Sequence, residues 1–119
     1  MDAKFVDAIF DAKDKFKYSP VVLYTKSQRS TNYLLGKLSG NGVKICSSFI
    51  NPTCDETIAF LLHEQIQEDI VTQEQLVLLL DSVKDSRKTI FLITCTSINN
   101  LKLIGRLRAR LLSGVYAEI

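Results

Sequence analysis

Three groups of side chains are of types and spacings that could do chemistry. Between the apolar run Val21-Val22-Leu23-Tyr24 and a leucine-bearing helical pattern stands Thr25-Lys26-Ser27-Gln28-Arg29-Ser30-Thr31-Asn32, rich in hydroxyls and carrying two cations. A strand, a tight turn and a helix form the layout of a phosphate-binding loop, whose glycines let backbone N–H groups curl around the anion while a lysine reaches the outer phosphates. Here no glycine precedes Gly36, and there is no Gly-Lys-Ser/Thr. Lys26 and Arg29 could still attract an anion at the start of a helix; the plainer alternative is a solvated loop. The second group is His63-Glu64-Gln65. His63 is the single histidine and stands beside Glu64; a surface or semi-buried side chain is expected rather than a catalyst. The third is Lys102, Arg106, Arg108 and Arg110. Arg106 and Arg110 are four apart and share a helix face, with Lys102 one turn before them. Such a strip is either a solvated basic face or a salt-sensitive contact to single-stranded nucleic acid.

The elements that must carry these groups follow from apolar periodicity. Phe5, Ile9, Ala12 and Phe16 predict an amphipathic helix over residues 3–17, stopped by Ser19-Pro20. Val21 to Tyr24 is a buried strand. Ser30 is placed to cap a helix reaching Leu38, with Leu34, Leu35 and Leu38 inward, and Gly40-Asn41-Gly42 ends it. Val43 to Ser47 is a second strand. Thr72-x-x-Gln75 reads as a capping box before Leu76, Leu79, Leu80 and Val83. Thr89 to Thr94 is the clearest strand in the chain. A helix is expected from Asn99 to Leu112 with Leu101, Ile104, Leu107 and Leu111 as its stripe, then Gly114 and a last strand, Val115 to Ile119. Residues 53–67 stay open: Thr53-x-x-Glu56 with Ile58, Leu62 and Ile66 suits a helix, whereas Thr57 to Leu62 equally suits a buried strand. Alternating strands and helices predict a three-layer α/β domain with a mainly parallel sheet.

Composition narrows the function classes. A chain of 119 residues with 46% apolar and 24% charged residues is ordinary for one globular domain. A net charge of +2 is too small to announce nucleic acid. Cys46, Cys54 and Cys95 are odd in number and lack metal-binding spacing, so buried free thiols in a reducing cytosol are expected. No apolar run approaches a membrane span, and the charged N-terminus is unlike a signal peptide. A cytoplasmic protein with no membrane contact is expected, and neither cofactor nor metal.

The stretch from Thr72 to Ile119 resembles the AAA+ core of the replication initiator DnaA and its shorter relative Hda. The matching residues are Thr72-Gln73-Glu74 opening a helix, the strand Ile90 to Thr94, then Arg106-Leu107-Arg108-Ala109-Arg110 and a short terminal strand. Ser-Pro-Val-Val-Leu-Tyr also resembles the family's approach to its phosphate loop. The similarity covers nearly the whole chain and is strongest over its last 48 residues. It implies a P-loop NTPase-like α/β/α core with a five-stranded sheet, as one domain over residues 1–119, without lid or DNA-binding domain. Placed on the family pattern, the phosphate loop falls on Thr25 to Asn32 with every glycine replaced, Thr31 at the lysine and Asn32 at the magnesium-holding hydroxyl. Leu61-Leu62-His63-Glu64-Gln65 resembles the metal-side motif, with Glu64 at the magnesium-side carboxylate and Gln65, which cannot accept a proton from water, at the activating acid. The resemblance therefore implies no ATP hydrolysis by this chain.

Arg106 and Arg110 match the two arginines of the family's RL-x-SR motif, and the second, Arg110, stands at the arginine finger. Such a finger acts on a neighbour's nucleotide and is worth about 10³–10⁵-fold in rate in the better-studied switch enzymes. The implied partner is DnaA or another AAA+ protein, with homo-oligomers possible and sequence-specific duplex binding not expected. No Gln-Leu-x-Leu-Pro-type clamp-docking peptide, of the kind Hda members use, stands near the N-terminus.

Overall fold

The computed structural model describes residues 4–12, 14–49 and 57–119. Short apolar runs become the strands of one sheet: β1 Val21–Tyr24, β2 Lys44–Cys46, β3 Thr57–Leu62, β4 Thr89–Thr94 and β5 Val115–Glu118. Their order is β2-β3-β4-β1-β5, and every pairing is parallel. Strands covered on both faces read as continuous apolar runs rather than alternating ones, which is why β1 and β4 stand out in the sequence. The segment left open between strand and helix is β3, held between β2 and β4. The alternative helix start, Thr53 to Glu56, lies outside the described residues.

Alternate residues divide the core in two. Val21, Leu23, Ala59, Phe91 and Ile93 pack with α1 (Lys4–Asp11) and α2 (Gln28–Gly40) through Val6, Ile9, Leu34 and Leu38. On the opposite face Val22, Ile58, Phe60, Leu62, Ile90 and Leu92 meet α3 (Ile70–Asp85) and α4 (Gly105–Leu111) through Leu76, Leu80, Val83, Leu107 and Leu111.

Several boundaries differ from those read in the sequence. The N-terminal helix stops at Asp11, and Lys15–Tyr18 forms a separate 3₁₀ turn. The cap of α2 is Ser27, not Ser30: its hydroxyl accepts from the Ser30 N–H at 3.1 Å. Asp69 caps α3, its carboxylate accepting from the Thr72 N–H at 3.0 Å and from the Thr72 hydroxyl at 2.6 Å, so Thr72 is not the capping residue. That pair of bonds lowers the Asp69 pKa below its ordinary 3.8. Cys95 is exposed and Cys46 half-buried, against the expectation of buried thiols; Cys54 lies outside the described residues. Gly114 packs so closely on the β1 approach that a Cβ there would stand 2.3 Å from the Pro20 carbonyl oxygen.

Candidate functional site

Register places the strand ends side by side. Thr94 lies opposite both Tyr24 and Leu62, so Thr25, Cys95 and His63 leave the sheet as neighbours. From β1 the chain passes through α2 toward the β2 edge, and from β4 through α4 to the β5 edge. Adjacent strands that depart in opposite directions open a crevice beyond their carboxyl ends, where α/β proteins place their ligands.

Here the chain's own side chains bond to one another at the strand ends, with Cys95 exposed beside them. Thr25 is fully buried and Thr31 nearly so; their hydroxyls are 2.6 Å apart. The Thr31 hydroxyl also lies 3.1 Å from the Ser27 carbonyl and 3.4 Å from the Cys95 sulfur, which is 3.7 Å from the Thr25 hydroxyl. Thr25 is pinned from behind, its N–H donating to the Thr94 carbonyl at 2.9 Å. Only Thr25, Lys26 and Ser27 separate β1 from α2, so Gln28 to Asn32 lie within the helix instead of forming a loop. Gln28 donates to the Asn32 side chain at 2.9 Å along the exposed helix face. Lys26 turns away from the crevice to pair with Glu118 of β5 at 2.6 Å, and that hydrogen bond raises its pKa. Arg29 is exposed.

Beyond β3, His63 and Gln65 are exposed, in agreement with a surface histidine. Glu64 opens a 3₁₀ turn, Glu64–Glu68, and its carboxylate accepts a short hydrogen bond from the Thr96 hydroxyl just after β4. An open cleft of about 310 Å³ lies beside this turn, lined by Ser47, Phe49, His63, Gln65 and Asp69 among others. No cluster of three or more histidine, cysteine or carboxylate side chains with metal-holding geometry occurs among the described residues.

The basic strip is not one helix face. α4 begins at Gly105, so Lys102 sits in the connection before it, contrary to the expectation from spacing. The Lys102 N–H donates to the Gln67 side chain at 2.8 Å. Arg106 pairs with Glu74 at 3.1 Å. Arg108 reaches back along its own connection to the carbonyls of Ile98, at 2.8 Å, and Leu101. Arg110 donates to Asp81 of α3 at 2.7 Å and to the Arg106 carbonyl at 3.2 Å. The Arg110 hydrogen bond lowers the Asp81 pKa, and the same bond raises that of Arg110. With its side chain 36% exposed, Arg110 is reachable from outside but held.

One positioning residue escaped sequence reading. Gln73 is fully buried on α3, its amide donating to the Ile66 carbonyl at 2.8 Å and accepting from the Ile104 N–H at 2.8 Å. It ties the turn that carries Glu64 to the connection that leads into the arginine helix. The available signal was a polar residue on the inward face at helical spacing from Leu76, Leu80 and Val83.

This strand order with helices on both faces defines the class: a three-layer α/β/α fold around a five-stranded, all-parallel sheet. Among solved structures the chain is similar to AMPPCP-bound DnaA from Aquifex aeolicus, with a TM-score of 0.77 and 15% identity over 98% of this chain and 44% of that one. It is also similar to domain III of the Thermotoga maritima replication initiation protein DnaA, with a TM-score of 0.53 and 16% identity over 83% of this chain and 41% of that one. The chain spans less than half the length of either, and at such identities the likeness is one of fold. No family model matches the chain, and no curated protein matches it in sequence. No helix among the described residues is long and apolar enough to cross a membrane.

Proposed function

We propose that this chain is a nucleotide-independent DnaA/Hda-like module that regulates replication initiation by contact with an AAA+ partner, DnaA itself in the first instance. The observation that carries the reading is the closed crevice. A phosphate cradle needs a flexible loop whose N–H groups are free to converge. In this chain Gln28 to Asn32 of the corresponding segment are helical, Ser27 occupies the Ser30 N–H, and Thr25, Thr31 and Cys95 bond to one another at the strand ends. Function then resides on the outer surface, where Arg110 is the residue that would act in trans on a partner's phosphate. Because it is held by Asp81, engagement requires an exchange of one anion for another. An exposed ion pair of this kind is weak and readily exchanged.

The test is the ATPase rate of purified DnaA with and without the chain. Wild type should raise the rate, Arg110→Ala should abolish the increase with the fold intact, and Asp81→Asn should enhance it by releasing the guanidinium. Equal stimulation by wild type and Arg110→Ala would rule out the finger. A second reading, a non-catalytic adaptor, is favoured by the pairing of Arg106 and Arg110 within the chain. Co-purification with an AAA+ partner whose ATPase rate is unchanged would select it. Tight magnesium-dependent binding of ATP in calorimetry would overturn both.

A further inference from the structure

The pole of the sheet opposite the crevice carries a second feature, independent of the arginine helix. The 3₁₀ turn Lys15–Tyr18 alternates lysines and aromatics and lies against the turn that joins α3 to β4. Ser19 accepts from the Ile90 N–H at 3.1 Å, and the Arg87 guanidinium lies 5.8 Å from the centre of the Phe16 ring. Arg87 thus lies over Phe16, with Lys17 and Tyr18 in the same 3₁₀ turn and Lys84 and Lys88 flanking Arg87 in the facing turn. Tyr18 is 42% exposed. Lys17 has Asp14 at 3.4 Å, and Asp85 is the other carboxylate in these two turns. Lys84, Arg87 and Lys88 form no salt bridge among the described residues, so the pole is net positive.

Cations near a helix C-terminus are ordinary, since they complement its dipole. Arg87 is not accounted for in that way. Its N–H donates to the Lys84 carbonyl at 3.2 Å and the Lys88 N–H to the Val83 carbonyl at 2.9 Å, the two bonds that end a helix through a left-handed residue. Arg87 is that residue, with φ 55°, and it is the one non-glycine with positive φ among the described residues. Glycine adopts this conformation freely and side chains resist it. A charged side chain kept at a position that favours glycine points to a use for the charge.

We propose that this pole binds single-stranded nucleic acid, with Lys17, Lys84, Arg87 and Lys88 on phosphates and one base stacked on Tyr18. The exposed aromatic favours nucleic acid over an acidic peptide, because every base offers a π face and a glutamate does not. The arginines of α4 do not compete for this role, being engaged by Glu74, Asp81 and backbone carbonyls.

The experiment is fluorescence anisotropy of a labelled 20-nucleotide oligothymidine with the full chain at 50 mM salt and above. Four phosphate contacts predict a fall in affinity of about 50-fold between 50 and 200 mM salt. Tyr18→Ala should weaken binding about 10-fold. Arg87→Gly should weaken it and flatten the salt dependence while the melting temperature holds or rises, because glycine relieves the left-handed backbone. Lys17→Gln, at an exposed position, is a second variant whose folding is not in doubt. Absence of binding at 50 mM salt would overturn the proposal, as would equal affinity of wild type and Arg87→Gly. Undiminished binding by Tyr18→Ala, or equal binding of a labelled polyglutamate, would reassign the surface to acidic peptides and overturn it as well.

Discussion

Replacing Gln73 by leucine keeps side-chain size and tests whether one buried amide holds the two functional turns in place. In the wild type its carboxamide closes two bonds of 2.8 Å, from the Ile104 N–H and to the Ile66 carbonyl. Leucine leaves the Ile104 N–H without its acceptor, and an unpaired, half-buried donor costs about 1–3 kcal/mol. The Ile66 carbonyl keeps a second donor, the Asp69 N–H at 3.1 Å, so its loss is about 0.5–1.5 kcal/mol. Apolar contact by the new side chain offsets part of this, leaving a net loss of about 2–3 kcal/mol. With an unfolding entropy of about 2.1 cal/mol/K per residue, a chain of this length loses roughly 10 °C in Tm. Urea and thermal unfolding followed by circular dichroism measure both quantities. Glu74→Ala is the control: it removes an exposed pair with Arg106 and should change stability by less than about 1 kcal/mol. A loss below about 0.5 kcal/mol for Gln73→Leu would refute the claim that this amide fastens the turns.

Two further perturbations test the fold's close approaches and its acid limb. Gly114→Ala should destabilise by about 3 kcal/mol or more, because its methyl would meet the Pro20 carbonyl at 2.3 Å and backbone must move; Gly36→Ala, on an open helix face with nothing within 4 Å, should instead stabilise by about 0.5–1 kcal/mol, and equal effects in chemical denaturation would contradict both assignments. The Asp69 pKa is lowered on folding from 3.8, so its ionised form stabilises the folded chain above about that pH and the contribution disappears as pH falls through the folded value. Asp69→Asn retains an acceptor for the Thr72 N–H and should flatten the drop in stability between neutral pH and pH 3; an unchanged acid limb would show that Asp69 does not contribute to it.

What was legible in the sequence was set by burial. β1 and β4 are uninterrupted apolar runs because both faces of the central strands are covered. β3 was ambiguous because five consecutive apolar residues, Ile58 to Leu62, fit either period, and only its place between β2 and β4 decides the matter. The arginine helix was read too long for a tertiary reason. Leu101, Ile104, Leu107 and Leu111 do repeat at helical spacing, but in the connection before α4 other elements' side chains serve the backbone. Gln67 and Gln73 take the N–H groups of Lys102 and Ile104, and Arg108 takes the carbonyls of Ile98 and Leu101. A chain whose polar groups are met in this way has no need of a helix. These partners lie up to 35 residues away in sequence, beyond the reach of any local pattern. The clasp of Arg110 by Asp81, 29 residues apart, was hidden for the same reason.

The closed crevice has a consequence that separates a lost side chain from a lost cradle. If only the lysine were missing, Thr31→Lys would restore an outer-phosphate contact and some affinity for ATP. Thr31, however, is 2% exposed, and its hydroxyl sits between Thr25, the Ser27 carbonyl and Cys95. A lysine there must either bury its ammonium or push through the packing at the strand ends, and it would leave the Thr25 hydroxyl with only the distant Cys95 sulfur. Burial without a partner disfavours the charged form of the amine, so stability of the variant should worsen as pH falls toward neutrality. Its backbone would still be helical from Gln28, with no loop to present converging N–H groups to a phosphate. The expected outcome is therefore a destabilised protein with no magnesium-dependent ATP binding in calorimetry. Replacing residues 25–32 together by a glycine-rich phosphate loop would be needed to create affinity. Binding of ATP by Thr31→Lys alone would mean that the crevice opens readily, and that the short connection after β1 does not by itself exclude nucleotide.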